Sequence, residues 1–175
     1  MAVDFSREFK AINIALLTVS DTRGPEEDTS GDILADRIET AGHRLAARAL
    51  ERDDADIITT RLNDWIDDNG IDAVVITGGT GLTGRDVTPE ALDRVKEKDI
   101  PGFGELFRWL SHQTIGTSTV QSRACAVVSR GTYIFALPGS NGAVKDGWDG
   151  ILAEQLDSRN RPCNFVELMP RLREK

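Results

Sequence analysis

The sequence predicts an α/β fold, a single three-layer domain with a mostly parallel sheet, helices on both faces and one antiparallel hairpin. Three observations carry that expectation. Apolar runs of strand length alternate with amphipathic segments from Ile12 to Leu152, the pattern of strands joined by crossover helices. The run Val74-Val75-Ile76-Thr77 stops abruptly at Gly78-Gly79-Thr80-Gly81-Leu82-Thr83-Gly84, a strand emptying into a glycine-rich loop. Ala124 to Ser129 and Thr132 to Leu137 are separated only by Arg130-Gly131, a hairpin spacing. The domain is taken as residues 1–175, with a core over about 10–157, a short N-terminal arm and a C-terminal tail.

Each element follows from its local pattern. Residues 1–10 read as a loose polar arm. Ile12 to Val19 is unbroken apolar, as a strand buried on both faces must be. Ser20-Asp21-Thr22-Arg23-Gly24-Pro25 is a loop, and Glu26-Glu27-Asp28 reads as a solvated acidic face. Ser30 is a candidate N-cap for a helix bearing Ile33, Leu34, Ile38 and Ala41, stopped by Gly42. His43 to Leu50 is the second strand. A helix with Ile58, Leu62, Trp65 and Ile66 on one face runs to about Asp68, and Ile71 to Thr77 is the third strand. Ala91, Leu92 and Val95 mark one later helical face, and Phe103, Leu106, Phe107 and Leu110 another. Trp65, Trp109 and Trp148 occupy core-like helical positions. Thr114 to Ser122 reads as a turn with a short helix. After the hairpin comes Leu137-Pro138-Gly139-Ser140, then a helix with Val144, Trp148, Ile151 and Leu152 inward.

Composition narrows the function. A net charge of −8 over 175 residues argues against nucleic acid or an anionic membrane surface as partner. An anionic ligand must therefore be held by local dipoles, a few placed cations or a metal. Cys125 and Cys163 show no metal-ligand spacing and read as free thiols of a reducing compartment. With two histidines and no clustered ligands, a protein metal cage is not expected. The first residues lack the apolar stretch of a signal peptide, and no segment is long and apolar enough to span a bilayer. A cytoplasmic location is expected.

In open α/β sheets, ligands bind beyond the carboxyl ends of the strands. The loops Ser20-Asp21, Asp53-Asp54, Gly78 to Asp86 and Pro138-Gly139-Ser140 all fall there. The glycine loop matches two familiar phosphate motifs only superficially. Gly79-x-Gly81-x-x-Gly84 has dinucleotide spacing, but Pro89 delays the helix that should receive the pyrophosphate. Gly79 and Gly84 have the gap of a Walker A loop, but Arg85-Asp86 stands where Lys-Ser/Thr is needed.

Four linked segments resemble a known family. They are Thr77-Gly78-Gly79-Thr80-Gly81, Arg85-Asp86-Val87-Thr88-Pro89-Glu90, Pro101-Gly102-Phe103-Gly104-Glu105 and Leu137-Pro138-Gly139-Ser140. Their order and spacing over about residues 10–157 resemble the molybdenum-cofactor biosynthesis proteins of the molybdopterin adenylyltransferase superfamily. The Ser20-Asp21-Thr22-Arg23 loop, Asp28-Thr29-Ser30-Gly31 and Asn141 to Trp148 are similar to its B-type branch.

The resemblance implies molybdenum cofactor biosynthesis. Molybdopterin and magnesium ATP would be substrates, adenylyl-molybdopterin and pyrophosphate products, and the assembly a homotrimer or homohexamer. It places Asp86 and Asp53 as catalytic and magnesium-binding carboxylates. Their local alternatives are a solvated loop Asp before an expected Thr88 N-cap, and a plain helix cap. Gly78, Gly79, Thr80 and Gly81 would wrap the pterin or its phosphate through backbone N–H groups. Ser20, Asp21, Pro138, Gly139 and Ser140 would face the same crevice. Ser140 is also a candidate cap for the helix beginning near Asn141. Arg85 would neutralise phosphate or pair with Asp86, and Lys145 would add a cation about one turn into the helix. Glu105 lies in a motif segment or is simply a helix-surface Glu. A binding or carrier protein on the same scaffold, without turnover, is the alternative to the enzyme.

Overall fold

The computed structural model describes residues 3–174. Six strands form one sheet: β1 (Asn13–Val19), β2 (Arg44–Glu51), β3 (Ala73–Thr77), β4 (Lys98–Asp99), β5 (Cys125–Ser129) and β6 (Thr132–Leu137). Their order is β2-β1-β3-β6-β5-β4. The ladders β2-β1, β1-β3 and β3-β6 are parallel; β6-β5 and β5-β4 are antiparallel. The helices are α1 (Thr29–Thr40), α2 (Ala55–Asp67), α3 (Thr88–Val95), α4 (Pro101–Ile115), α5 (Asn141–Gly147), α6 (Ala153–Gln155) and α7 (Phe165–Leu168). A wide π turn, Trp148–Leu152, joins α5 to α6.

The central strands are apolar throughout because each face is covered. Ile14, Leu16, Ala73, Val75, Tyr133, Phe135 and Leu137 point to one layer, where Leu34 and Ile38 of α1, Phe103 and Phe107 of α4 and Val144 of α5 meet them. Ala15, Leu17, Val19, Val74, Ile76, Ile134 and Ala136 point to the other, against Ile58, Leu62 and Trp65 of α2 and Ala91 and Leu92 of α3. Strand alternation thus builds two cores. From β1 the chain crosses to β2 on one side, then returns to β3 and moves out to β6 on the other. The β1/β3 boundary is therefore the topological switch point, where a crevice opens above the strand ends.

Several local expectations are corrected. Asp28, not Ser30, caps α1, accepting the Gly31 N–H at 2.9 Å. Nor is Asp28 part of a solvated face. It is 2% exposed and also accepts from the Thr18 hydroxyl (2.7 Å) and the Arg48 guanidinium (2.8 Å). The cap and the pair are mutually reinforcing, since a buried carboxylate needs several donors. The arm at 3–10 is pinned rather than loose: Val3 bridges Asn160, Lys10 N–H reaches Ser158 Oγ, and Phe9 lies between His43 and the Arg159 guanidinium. Residues 1 and 2 of that arm lie outside the described residues.

Trp65 and Trp148 are buried, but Trp109 is 63% exposed and Leu106 42%. Trp109 lies two residues past buried Phe107, about 200° around the helix, and so points outward. The two-residue strand β4 lacked any apolar signal and forms only because its backbone pairs with β5.

Replacing Asp28 by Ala should cost about 3 kcal/mol of unfolding free energy, because it strands the buried Thr18 hydroxyl and unpairs Arg48. Urea denaturation would test this; a loss under about 0.5 kcal/mol, typical of surface sites, would return Asp28 to the surface reading.

Candidate active site

The crevice at the switch point has a volume of about 540 Å³. It is lined from four strand ends: Ser20, Asp21 and Arg23 after β1, Asp53 after β2, the glycine loop after β3, and Pro138, Gly139 and Ser140 after β6. A smaller slot of about 210 Å³ adjoins it, sharing Thr80, Gly81, Pro138 and Ser140. Phe107, Ile115 and Ala143 give this slot apolar walls. A hollow of about 630 Å³ lies at the opposite, amino-terminal edge of the parallel strands, beside the β5-β6 turn. Arg130 there pairs with Asp67 of this same surface, and no glycine loop reaches it.

The glycine loop is shaped by steric necessity. Gly78 has φ +107°, and a Cβ there would lie 2.0 Å from the Val19 carbonyl oxygen. Gly79 has φ +64°, and its Cβ would meet Thr88 Oγ1 at 2.3 Å and Asp53 Oδ1 at 2.7 Å. Only glycine satisfies both constraints. Gly81 and Gly84 do not have positive φ. Gly81 instead leaves room for the Asp86 carboxylate, and Gly84 faces open space. Thr88 is the first residue of α3 rather than its cap. Its hydroxyl donates to the Gly78 carbonyl (2.9 Å) and its N–H to the Gly79 carbonyl (3.0 Å), closing the loop.

Asp53, Asp21 and Asp86 meet at one side of the crevice. Asp54, not Asp53, caps α2, accepting from the Asp56 and Ile57 N–H groups. Asp53 is thereby released from a capping role. Its N–H donates to Asp21 Oδ1 (3.2 Å), and its own Oδ1 is buried without a hydrogen-bond partner. Burial, then the neighbouring Asp21 and Asp86 charges, raise the Asp53 pKa above the ordinary carboxylate value. Asp86 moves the opposite way. Burial would raise it, but donation from the Thr83 hydroxyl (2.7 Å) and N–H (2.8 Å) and from Gly81 N–H lowers it overall. Two neighbouring carboxylates are thus pushed apart by their surroundings, as in sites where they have different tasks.

Arg85 does not pair with Asp86. It reaches across the crevice mouth to Asp21 Oδ2 (3.5 Å) and stays largely exposed, because Asp86 is turned inward by Thr83. Ser140 does cap α5, its Oγ accepting the Ala143 N–H at 3.2 Å. Lys145 lines neither cavity. It follows buried Val144 by about 100° of helix rotation and points to solvent. Glu105 is exposed on α4.

Two arginines in the site were not singled out from sequence. Arg123 donates to the Gly81 carbonyl (2.7 Å) and the Asp86 carbonyl (2.7 Å), and its pair with Glu90 ties the loop to α3. Arg23 donates to the Gly139 carbonyl at 3.0 Å, joining the β1 and β6 loops. Both contacts span distant chain segments, so no local pattern announces them.

Comparison with known proteins places this geometry. The family described as "Probable molybdopterin binding domain" matches residues 15–158. Molybdenum cofactor biosynthesis protein B of Escherichia coli K12 is 49% identical over 160 residues, covering 91% of this chain and 94% of the relative. The chain belongs to the molybdenum cofactor biosynthesis protein B family. The Bacillus subtilis relative of that name is 40% identical over 146 residues, covering 83% of this chain and 86% of its own. A crystal structure of a molybdenum cofactor biosynthesis protein B superposes with TM-score 0.86 at 32% identity, over 97% of this chain and 100% of that one. The tungsten cofactor synthesizing protein MoaB from Pyrococcus furiosus gives 0.79 at 33%, over 94% and 99%. The crevice opens at the carboxyl ends of the parallel strands, the edge that the strand-end rule predicts.

The raised Asp53 pKa fixes a sign for stability. A carboxyl whose folded pKa lies above its unfolded value adds stability below the unfolded value, near 3.8, and loses it as pH rises through the folded value. Ionised Asp53 therefore destabilises the fold at pH 7. Asp53→Asn should raise Tm at pH 7, and the gain should shrink as pH falls through the raised folded value and be gone below about 4. An unchanged or lower Tm at pH 7 would contradict this.

Proposed function

We propose that this protein binds molybdopterin and transfers AMP from magnesium ATP to its terminal phosphate, releasing pyrophosphate. One observation carries the reading: a glycine cradle and three carboxylates share a crevice that opens directly into an apolar slot. The slot suits the flat pterin, and the crevice suits its phosphate and the nucleotide.

The acceptor is a phosphate monoester, mostly dianionic near pH 7 because its second pKa is about 6. It needs no general base. A phosphate oxygen of molybdopterin attacks the α-phosphorus of ATP, a new P–O bond forms, and the bond to the β-phosphate oxygen breaks. The demands on the protein are in-line positioning and relief of charge repulsion. Backbone N–H groups of Gly79 and Thr80 hold phosphate oxygens, since those of Gly78 and Gly81 are already given to the Leu137 carbonyl and the Asp86 carboxylate, and Arg123 keeps that loop in place. Among the described residues no group of three or more His, Cys, Asp or Glu side chains is arranged to hold a metal ion alone. The site nonetheless fits magnesium arriving with a nucleotide, since Asp53 presents a carboxylate oxygen with no protein donor and phosphate oxygens complete the shell. Asp53 and Asp86 would hold that ion, which offsets the charge of the triphosphate. Asp53 ionised by the ion and Asp86 held ionised by Thr83 supply the two negative ligands.

Purified protein mixed with molybdopterin and magnesium ATP should yield adenylyl-molybdopterin and pyrophosphate. Pterin binding without pyrophosphate would replace the enzyme by the carrier reading. Asp86→Asn, which keeps an acceptor for Thr83, should lower kcat about 100-fold, with the fold intact by circular dichroism; unchanged kcat would remove Asp86 from the mechanism.

Assembly as a homotrimer or homohexamer is part of the proposal. Exposed Leu106, Trp109, Ile115 and Val120 on α4 and the turn after it support self-association. Light scattering should give three or six times 19.2 kDa; a monomer at micromolar concentration would refute this part.

A further inference from the structure

The crevice is electrostatically divided. Asp21, Asp53 and Asp86 stand at the β1/β2 side, and Arg85 is already engaged by Asp21. Arg23 stands at the β6 side, and among the described residues no carboxylate lies within 4.0 Å of its guanidinium. Its protein partners are neutral: the Gly139 carbonyl at 3.0 Å and, at the limit of a bond, the Ser30 hydroxyl at 3.4 Å. Both use the same nitrogen. The other guanidinium nitrogens have no protein partner and are not buried, so they open to the crevice. A half-buried, always-charged fork with free donors fits a phosphate bidentately.

Its position selects which phosphate. Arg23 is fixed over Gly139, between Pro138 and Ser140, two of the four residues that line both the apolar slot and the polar crevice. Gly139 in turn lies against Gly78 of the nest, where a Cβ would come within 3.2 Å of Gly78 Cα. A ligand with its ring in the slot and its tail in the crevice crosses the boundary formed by Thr80, Gly81, Pro138 and Ser140, beside Arg23. The triphosphate, drawn with its cation to the carboxylates, lies on the other side. The Arg23 backbone helps hold this pose, since its N–H donates to Ser20 Oγ at 3.2 Å and Ser20 is the first residue after β1.

We propose that Arg23 is the residue that binds the terminal phosphate of the pterin, the nucleophile of the transfer, and thereby selects phosphorylated over unphosphorylated pterin. This assignment rests on the adenylyl-transfer reading. It divides the work between opposite charges: Arg23 orients the acceptor, and the carboxylates orient the nucleotide. Arg23 is a binding residue in direct contact with substrate, not a base.

The test is a binding cycle under anaerobic conditions. Molybdopterin, the same pterin after phosphatase removal of its terminal phosphate, and magnesium ATP are each titrated into wild type, Arg23→Ala and Arg23→Lys. Arg23→Ala should weaken molybdopterin binding about 10- to 100-fold, the range for charge-assisted hydrogen bonds. It should leave the dephosphorylated pterin and magnesium ATP within about twofold, and Arg23→Lys should recover part of the loss. Equal loss for both pterins would make Arg23 merely structural and overturn the assignment. So would unchanged molybdopterin affinity, or a matching loss of magnesium ATP. Wild-type protein that binds no molybdopterin would overturn the functional reading itself, a result distinguishable from failure of Arg23 alone. Circular dichroism of both variants should match wild type, and Tm should fall by no more than a few degrees, about the loss of the single hydrogen bond to Gly139.

Discussion

The site depends on how closely three strand ends approach at Gly78. Its N–H donates to the Leu137 carbonyl of β6 at 2.9 Å. Its Cα side faces the Val19 carbonyl of β1, where no Cβ fits. Its carbonyl accepts the Thr88 hydroxyl from α3. One residue therefore sets the spacing between β1, β3, β6 and the helix that follows. The crevice is what remains above this junction once the backbones are as close as glycine permits. A larger residue would part the strand ends and separate the carboxylate wall from the β6 loop.

Around that junction the long-range polar contacts hold loops that would otherwise be free. Asp28 is buried and satisfied by Thr18, Gly31 and Arg48, which binds the exit of the β1 loop to β1, α1 and β2 at once. Arg123 does the same for the glycine loop through two carbonyls and Glu90. A binding loop needs such support, because its own contacts with the core are few. The carboxylate cluster pulls the other way. Asp53 has a buried oxygen without a donor and two like charges beside it. That local strain, set within a well-satisfied frame, is typical of positions kept for chemistry rather than for stability.

Much of this was legible in the sequence. Continuous apolar strands required helices on both faces, and the parallel sheet with its hairpin followed. The strand-end rule alone gathers Ser20, Asp21, Asp53, the glycines, Asp86 and Pro138 to Ser140 into one crevice. What failed did so for identifiable reasons. Glu26-Glu27-Asp28 reads as a uniform charged run, yet Asp28 alone turns inward, because Thr18 and Arg48 await it from other strands. Trp109 carries the same apolar signal as Trp65 and Trp148, but helix phase directs it outward. Lys145 is close in sequence to the site but points to solvent, whereas Arg23 lines the crevice from another loop. Arg85 had two plausible partners, and the one it takes is a carboxylate 64 positions earlier in the chain.

The sequence by itself determined the layered α/β fold, the edge of the sheet where the crevice opens, and the residue types that meet there. Period-two and helical patterning and glycine placement are local properties, and they survive translation into a string of letters. Only the tertiary structure decided which charges face one another, which of two adjacent aspartates is free of its helix, and which arginine is left without a carboxylate. Those outcomes depend on distances between segments tens of residues apart, and on side-chain direction, neither of which any local pattern encodes.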